Sequence, residues 1–240
     1  MKKILALALV MAAAATAASA EGILDIYGGS MNFLPTSTLN NADLCGGGSC
    51  TPVSGLQWSE LTGVHQKASA TGGFRVGGLT KTDHFSYGAA FNLQAYGVKE
   101  QESYYTTGPS SYRSNLGGTV LQPGGDLILG IPLRFLRLYG GAGLNMPIMF
   151  YDYQTYDKST NSTSQGVGSS ATLGYDFFFG GRILLTEHFN LFLEDRFSGI
   201  FMPIAAKDSV LASNGEVTNG TLVINSLNAN AIVGGIGFAW

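Results

Sequence analysis

The chain has 240 residues, of which 13 are Lys or Arg and 16 are Asp or Glu, so only 12% carry charge, about half the roughly 25% of an ordinary soluble domain. Glycine, at 34 residues, is about twice as common as usual; aromatic residues reach 11% and mean hydropathy is +0.16. These values argue against a charge-coated soluble globule and against disorder, and a formal charge of −3 argues against a cationic nucleic-acid binder.

In chain order, the first segment reads as a leader. Met1-Lys2-Lys3 is a cationic start, Ile4 to Ala15 an apolar stretch, and Ala18-Ser19-Ala20 a small-residue cleavage site, the three-part layout of a secretory signal peptide. Residues 1–20 are therefore expected to be removed, leaving 21–240 as one domain. Without Lys2 and Lys3 that domain has 11 basic and 16 acidic residues, a formal charge of −5. It holds no run of eighteen apolar residues, which rules out a helical membrane span by length.

The alternative spanning architecture is a closed antiparallel barrel, whose strands alternate apolar with polar or small residues. Eight such segments follow, at roughly 22–35, 67–80, 84–99, 118–132, 135–154, 168–185, 188–206 and 221–240. The alternation is clearest where Phe85, Tyr87, Ala89, Phe91 and Leu93 interleave with Ser86, Gly88, Ala90, Asn92 and Gln94. It recurs where Tyr175, Phe177, Phe179 and Ile183 interleave with Gly174, Asp176, Phe178 and Arg182. Period-two alternation sends one set outward and the other inward. The connections at 80–83, 132–134 and 186–187 are tight, whereas 36–66, 100–117, 155–167 and 207–220 are long and rich in Ser, Thr, Asn and Gly. Short turns at one end and long loops at the other predict an all-β, up-and-down transmembrane barrel with periplasmic turns and extracellular loops.

The final strand runs from Asn228 to Trp240 and places Ile232, Gly234, Ile236, Phe238 and Trp240 on one face. Together with Leu138-Tyr139-Gly140-Gly141-Ala142-Gly143-Leu144, with Gly180-Gly181-Arg182-Ile183, and with His188 to Phe197, this resembles the OmpA-like eight-stranded outer-membrane barrel family. The resemblance spans about half of 21–240. It implies a bacterial outer-membrane location, lipid as the surrounding partner, and a terminal aromatic signal, here Phe238 and Trp240, read by the outer-membrane insertion machinery. Trp stands where the family more often ends in Phe, and no peptidoglycan-binding segment follows the barrel, so the family's anchoring role is not implied.

Parity places Arg75, Asp126, Asp176, Arg182, Glu194 and Arg196 inside, three positive and three negative. Buried ions persist when paired and hydrogen-bonded, and eight strands enclose a lumen that side chains can fill. A salt-bridged plug is one reading and a charged or gated ion pathway the other. Asp195 conflicts with the pattern, since parity points it toward lipid; a position near the interface or a bulge would relieve this. Glycine pairs such as Gly72-Gly73, Gly77-Gly78, Gly140-Gly141 and Gly180-Gly181 admit curvature and leave room for large inward neighbours such as Tyr139 or Phe178. Gly141-x-Gly143 lacks the helix and third glycine of a phosphate loop.

Cys45 and Cys50, around Gly46-Gly47-Gly48-Ser49, are the chain's two cysteines, and in an exported chain so close a pair reads as a disulfide in the first loop. His84 shares strand parity with Ser86, and Asp83 is adjacent, but a nucleophile and base at a periplasmic turn would be far from an outer-leaflet lipid. His65 with Glu60 in the first loop is equally unspecific. Asn161-Ser162-Thr163 and Asn219-Gly220-Thr221 match a glycosylation pattern that a bacterial export signal makes incidental. Tyr104, Tyr105, Tyr112, Tyr151, Tyr153 and Tyr156 gather near the loops, as an interfacial aromatic girdle or a ligand-contact surface. No cofactor, metal or catalytic set emerges. The function that fits is a non-enzymatic envelope protein displaying loops; a narrow channel or transporter, a lipid-modifying enzyme, and a loop surface for an unidentified extracellular ligand are the alternatives.

Overall fold

The computed structural model describes residues 21–33, 42–46, 49–53, 69–107, 110–157, 162–202, 204–211, 217–224 and 228–240. The expected leader, Glu60 and His65 lie outside the described residues, as do the side chains of Cys45 and Cys50. The strands are β1 (Glu21–Phe33), β2 (Ala42–Gly46), β3 (Ser49–Val53), β4 (Ser69–Lys81), β5 (Ser86–Thr107), β6 (Ser110–Pro132) and β7 (Leu136–Asn145). They continue as β8 (Ile148–Asp157), β9 (Ser162–Ala171), β10 (Gly174–Leu184), β11 (Phe189–Ile200), β12 (Ile204–Leu211), β13 (Val217–Ile224) and β14 (Ala229–Ala239).

Eight strands form a closed antiparallel ring in the order β1, β4, β5, β6, β7, β10, β11, β14 and back to β1. Closure is completed where Gly22 N donates to Trp240 O at 2.9 Å and Trp240 N donates to Gly22 O at 3.1 Å. A closed ring pairs the backbone groups that a lipid-exposed sheet edge would leave unsatisfied. Two of the three tight turns are pinned by threonines: Thr82 Oγ1 accepts from Phe85 N at 3.2 Å, and Thr186 Oγ1 accepts from Phe189 N at 2.9 Å; in the third, Leu133 N donates to Leu136 O at 2.7 Å.

At the other end the described parts of the polar connections are strand. β5 and β6 run on as a paired ribbon to Thr107 and Ser110, through most of the segment 100–117 that composition marks as a loop. β8 pairs β9 up to Asp157 and Ser162, and β12 pairs β13. Serine, threonine and tyrosine are polar yet two of them favour extended backbone, so polarity was a poor guide to strand ends here. Four expected strands are interrupted: 168–185 divides between β9 and β10 at Thr172-Leu173, 188–206 takes in β11 and the start of β12, 221–240 takes in the end of β13 and β14, and 135–154 divides between β7 and β8 at Met146-Pro147, where proline has no N–H to give the ladder. Met146 N instead donates to Pro123 O at 2.9 Å, and Thr172 N to Pro147 O at 3.0 Å. In the β2–β3 hairpin Cys45 stands directly opposite Cys50.

The two faces of the ring separate cleanly. Leu127, Leu129, Leu144, Phe177, Phe179 and Leu193 are exposed on the outside, while Asp25, Arg75, Asn92, Gln94, Asp126, Asp176 and Arg196 are buried within. Outer small residues Ala89, Gly125 and Ala142 floor a recess of about 790 Å³ between Phe91, Leu127 and Phe177, a surface suited to acyl chains. Tyr151 departs from the expected girdle: it is inward and packs with Tyr27, Met31, Tyr96, Val120 and Met149. A second inward cluster, with Ile23, Leu79, Ile128, Tyr139 and Phe178, lies toward the turns.

Inward glycines are required by this packing. A side chain at Gly141 would enter the Phe178 ring, and one at Gly180 would meet Tyr139 Oη at 3.1 Å. Asp195 faces outward as parity implied, and the ladders beside it carry no bulge: it stands midway along β11, opposite Phe179 and Ile232. Its Oδ1 has no hydrogen-bond partner. An acidic residue on the lipid face costs less than the ~2–4 kcal/mol of a basic one, so Asp195→Leu should stabilise the barrel by up to ~2 kcal/mol. Urea unfolding in detergent or bilayers checks this, and an unchanged or lower midpoint contradicts it.

Candidate functional site

The inward charges form one connected chain across the lumen. Arg182 Nη2 donates to Asp25 Oδ2 at 2.7 Å, and the same oxygen lies 3.5 Å from Arg75 Nη1. Arg75 continues the chain, with Nη2 donating to Glu194 at 2.9 and 3.0 Å and Nε donating to Asp126 Oδ2 at 3.1 Å. Arg196 closes it: Nε donates to Glu194 Oε1 at 3.0 Å, Nη2 to Asp126 Oδ2 at 3.0 Å and Nη1 to Asp176 Oδ1 at 3.1 Å. Asn145 Nδ2 then donates to Asp176 Oδ2 at 2.8 Å. Six strands contribute, β1, β4, β6, β7, β10 and β11. Most of these bonds are chords across the lumen, joining residues 51 to 157 positions apart in sequence.

Aromatic faces fill the spaces between the guanidinium groups. The Phe178 ring has Arg75 Cζ and Arg196 Cζ each 4.7 Å from its centroid. Arg182 Cζ lies 5.3 Å from both the Tyr139 and the Phe192 ring centroids. Such cation–π contacts are strongest when desolvated, and Arg75, Arg182 and Arg196 are buried. Above the charges a neutral polar tier bridges strands, with Tyr27 Oη donating to Asn92 Oδ1 at 2.6 Å and Gln94 Nε2 donating to Thr71 Oγ1 at 2.8 Å.

The structure thus brings Arg75, Asp126, Asp176, Arg182, Glu194 and Arg196 into one network. Two buried charges were missing from the sequence reading. Asp25 has the inward parity of Ile23 and Tyr27, between the outward Leu24 and Ile26, so the alternation of β1 carried its signal. Arg137 lies near the start of β7 and approaches Glu21 Oε2 at 3.8 Å, where Lys81 also pairs. Glu21 and Lys81 border a cavity of about 430 Å³ lined in part by Glu187, His188 and Trp240. His188 Nδ1 lies 2.9 Å from Ala239 O, which fixes the turn to the last strand.

The other sequence candidates do not assemble. His84 is exposed in the turn, whereas Ser86 points into the wall and its Oγ makes no hydrogen bond, so no activated nucleophile forms there. Among the described residues no three His, Cys, Asp or Glu side chains are grouped as a metal site. Phe238 and Trp240 are outward and exposed on β14 and the chain end, with Phe238 edge-on to Phe189 at 5.3 Å between centroids.

An apolar-walled ring of eight strands around an ionic interior has the fold of the bacterial outer-membrane β-barrels. Solved structures similar to it include Neisserial surface protein A, at 11% identity over 90% of this chain and 96% of that one, with a TM-score of 0.46. The outer-membrane protease OmpT of Escherichia coli is similar at 8% identity, 92% and 97% coverage and a TM-score of 0.50. OprG of Pseudomonas aeruginosa is similar at 13% identity, 92% and 96% coverage and a TM-score of 0.44. No family profile matches the sequence, and no curated protein matches it.

Removing one member of a buried ionic set leaves the others unpaired, which typically costs about 3–5 kcal/mol. Arg196→Met should therefore lower the free energy of unfolding by about that amount, because Asp126, Asp176 and Glu194 would lose a shared donor. Equilibrium urea unfolding followed by tryptophan fluorescence measures it; a loss no larger than that of an exposed-site change would show that the network does not hold the fold.

Proposed function

We propose that this chain is a non-enzymatic outer-membrane barrel whose role is structural: it seals its own lumen and carries strand ribbons and a Cys45–Cys50 hairpin on the cell exterior. The observation that carries this reading is the continuous chain of ion pairs from Arg182 through Asp25, Arg75, Glu194 and Arg196 to Asp176. It crosses the lumen at a level where the Phe178 and Tyr139 rings also pack, their centroids 6.4 Å apart. A path for ions at that level would require several charge-assisted bonds to open together, each stronger than a neutral bond. The leader expected at 1–20 and the outward apolar belt support export and residence in lipid, with Phe238 and Trp240 as the insertion signal. The cross-strand position of Cys45 and Cys50 supports their disulfide, because opposite residues of an antiparallel pair lie within bridging distance.

The wild-type barrel in planar bilayers should give no stepwise conductance at moderate voltage. Steady single-channel openings would instead favour the narrow-channel reading, in which the same ion chain is a gate. In the same preparation, thiol labelling of unfolded protein should appear only after reduction. Labelling without reductant would remove the disulfide from the proposal.

A further inference from the structure

The ionic chain is not balanced. Four carboxylates, Asp25, Asp126, Asp176 and Glu194, share three guanidinium groups, Arg75, Arg182 and Arg196. Arg137, a further buried arginine, lies at the rim, where it shares Glu21 with Lys81. Within the ion pairs of the central network the carboxylates therefore outnumber the guanidinium groups by one, in an enclosure surrounded by lipid, where an unpaired ion is costly.

The place of that charge is visible in the contacts around Gly143. Asp126 and Asp176 flank Gly143 in one cross-strand row. Asp126 Oδ1 is buried and has no hydrogen-bond partner, although Oδ2 of the same carboxylate serves both Arg75 and Arg196. A methyl group built on Gly143 would meet Asp126 Oδ1 at 2.5 Å, Asp176 Oδ1 at 2.8 Å and Gly125 O at 3.0 Å. Three oxygens thus converge on the space over this glycine. A comparable space over Gly237 has a different character: there Asp25 Oδ1 faces the Asn190 amide, whose nitrogen is also within reach, so rotation of that amide supplies a donor. Over Gly143 both side chains are carboxylates and neither has a donor to offer.

We propose that the space over Gly143 binds one small monovalent cation of sodium's size, held by Asp126 Oδ1, Asp176 Oδ1 and the Gly125 carbonyl oxygen. An all-oxygen set selects a hard cation. A single excess charge selects a monovalent one, because a divalent ion would leave the network positive. The ion completes the plug: it relieves the repulsion between the two carboxylates and satisfies the Asp126 oxygen that the arginines do not reach. Gly143 is required because a side chain there would occupy the ion's place.

A ligand bound by the folded barrel alone raises its stability with the logarithm of ligand concentration. The test is urea or thermal unfolding of the detergent-solubilised barrel, with sodium chloride replaced stepwise by choline chloride at constant ionic strength so that screening does not change. Stability should rise with sodium, with about one ion released per unfolding event. Gly143→Ala should still give a heat-modifiable barrel but lose the sodium dependence. Asp176→Asn leaves three carboxylates for three arginines, so it should fold in choline alone and be insensitive to sodium, which covers the case in which Gly143→Ala fails to fold. Equal stability in sodium and choline overturns the proposal, as does a stability that responds to pH but not to sodium, since the balancing charge would then be a proton. A sodium dependence that survives in Asp176→Asn also overturns it, by placing the ion elsewhere.

Discussion

A charge held inside a narrow barrel in lipid has no water to fall back on, so each interior ion must find its partners among side chains from other strands. In this molecule the partners lie on opposite walls: Arg75 on β4 reaches Glu194 on β11, and Arg182 on β10 reaches Asp25 on β1. These bonds can form only if the ring closes in one register, because slipping a strand by one residue turns every inward side chain outward. The remaining interior is arranged around that need. Arg75 and Arg196 are held side by side by the carboxylates of Asp126 and Glu194, the Phe178 ring packs against both guanidinium groups, and that ring has room because Gly141 has no side chain.

The high glycine content has two explanations. Inward positions such as Gly73, Gly141, Gly180 and Gly235 lie where a side chain would collide with a large neighbour, Tyr27, Phe178, Tyr139 and Phe192 respectively. Outward positions such as Gly28, Gly181 and Gly234 would meet nothing closer than 3.6 Å. The first group is a packing requirement. The second leaves the lipid-facing surface locally smooth, and the fold does not demand it.

Much of this was legible in the sequence because the controlling pattern has period two and little competes with it. Ser86 to Leu93 and Gly174 to Ile183 assign inside and outside residue by residue, and the ion chain follows from the inward set. Asp25 carried the same signal, between Leu24 and Ile26, but the apolar alternation of β1 lapses just beyond it at Gly28-Gly29-Ser30. Strand ends were less legible. The segment 100–117 is polar, yet polarity reports exposure to water and not the backbone's conformation, so a ribbon projecting beyond the membrane reads like a loop. Tyr151 belongs inside for a reason that the alternation does carry: Tyr139, Asn145, Met149 and Tyr151 share one inward parity across Met146-Pro147, whereas a tyrosine near the membrane boundary, taken by residue type alone, suits an interfacial girdle and a partly polar lumen equally.

Asp195 shows why the interior had to be ionic. On the outside of β11 a carboxylate stands among apolar neighbours with an oxygen unsatisfied, while Glu194 and Arg196 on either side of it point inward and are bonded. Three consecutive charges would not by themselves tell the strand which face belongs inside, since either register buries at least one of them. The inward register engages two charges of opposite sign, which also contact each other at 3.0 Å. The opposite register would bring Asp195 alone into the lumen and leave both Glu194 and Arg196 in lipid, with the basic residue carrying the larger penalty. An apolar lumen would have packed as well, but with both faces apolar the two registers would differ little in energy. The ions therefore contribute less through the strength of any one pair than through the gap they open between the native register and its nearest competitor.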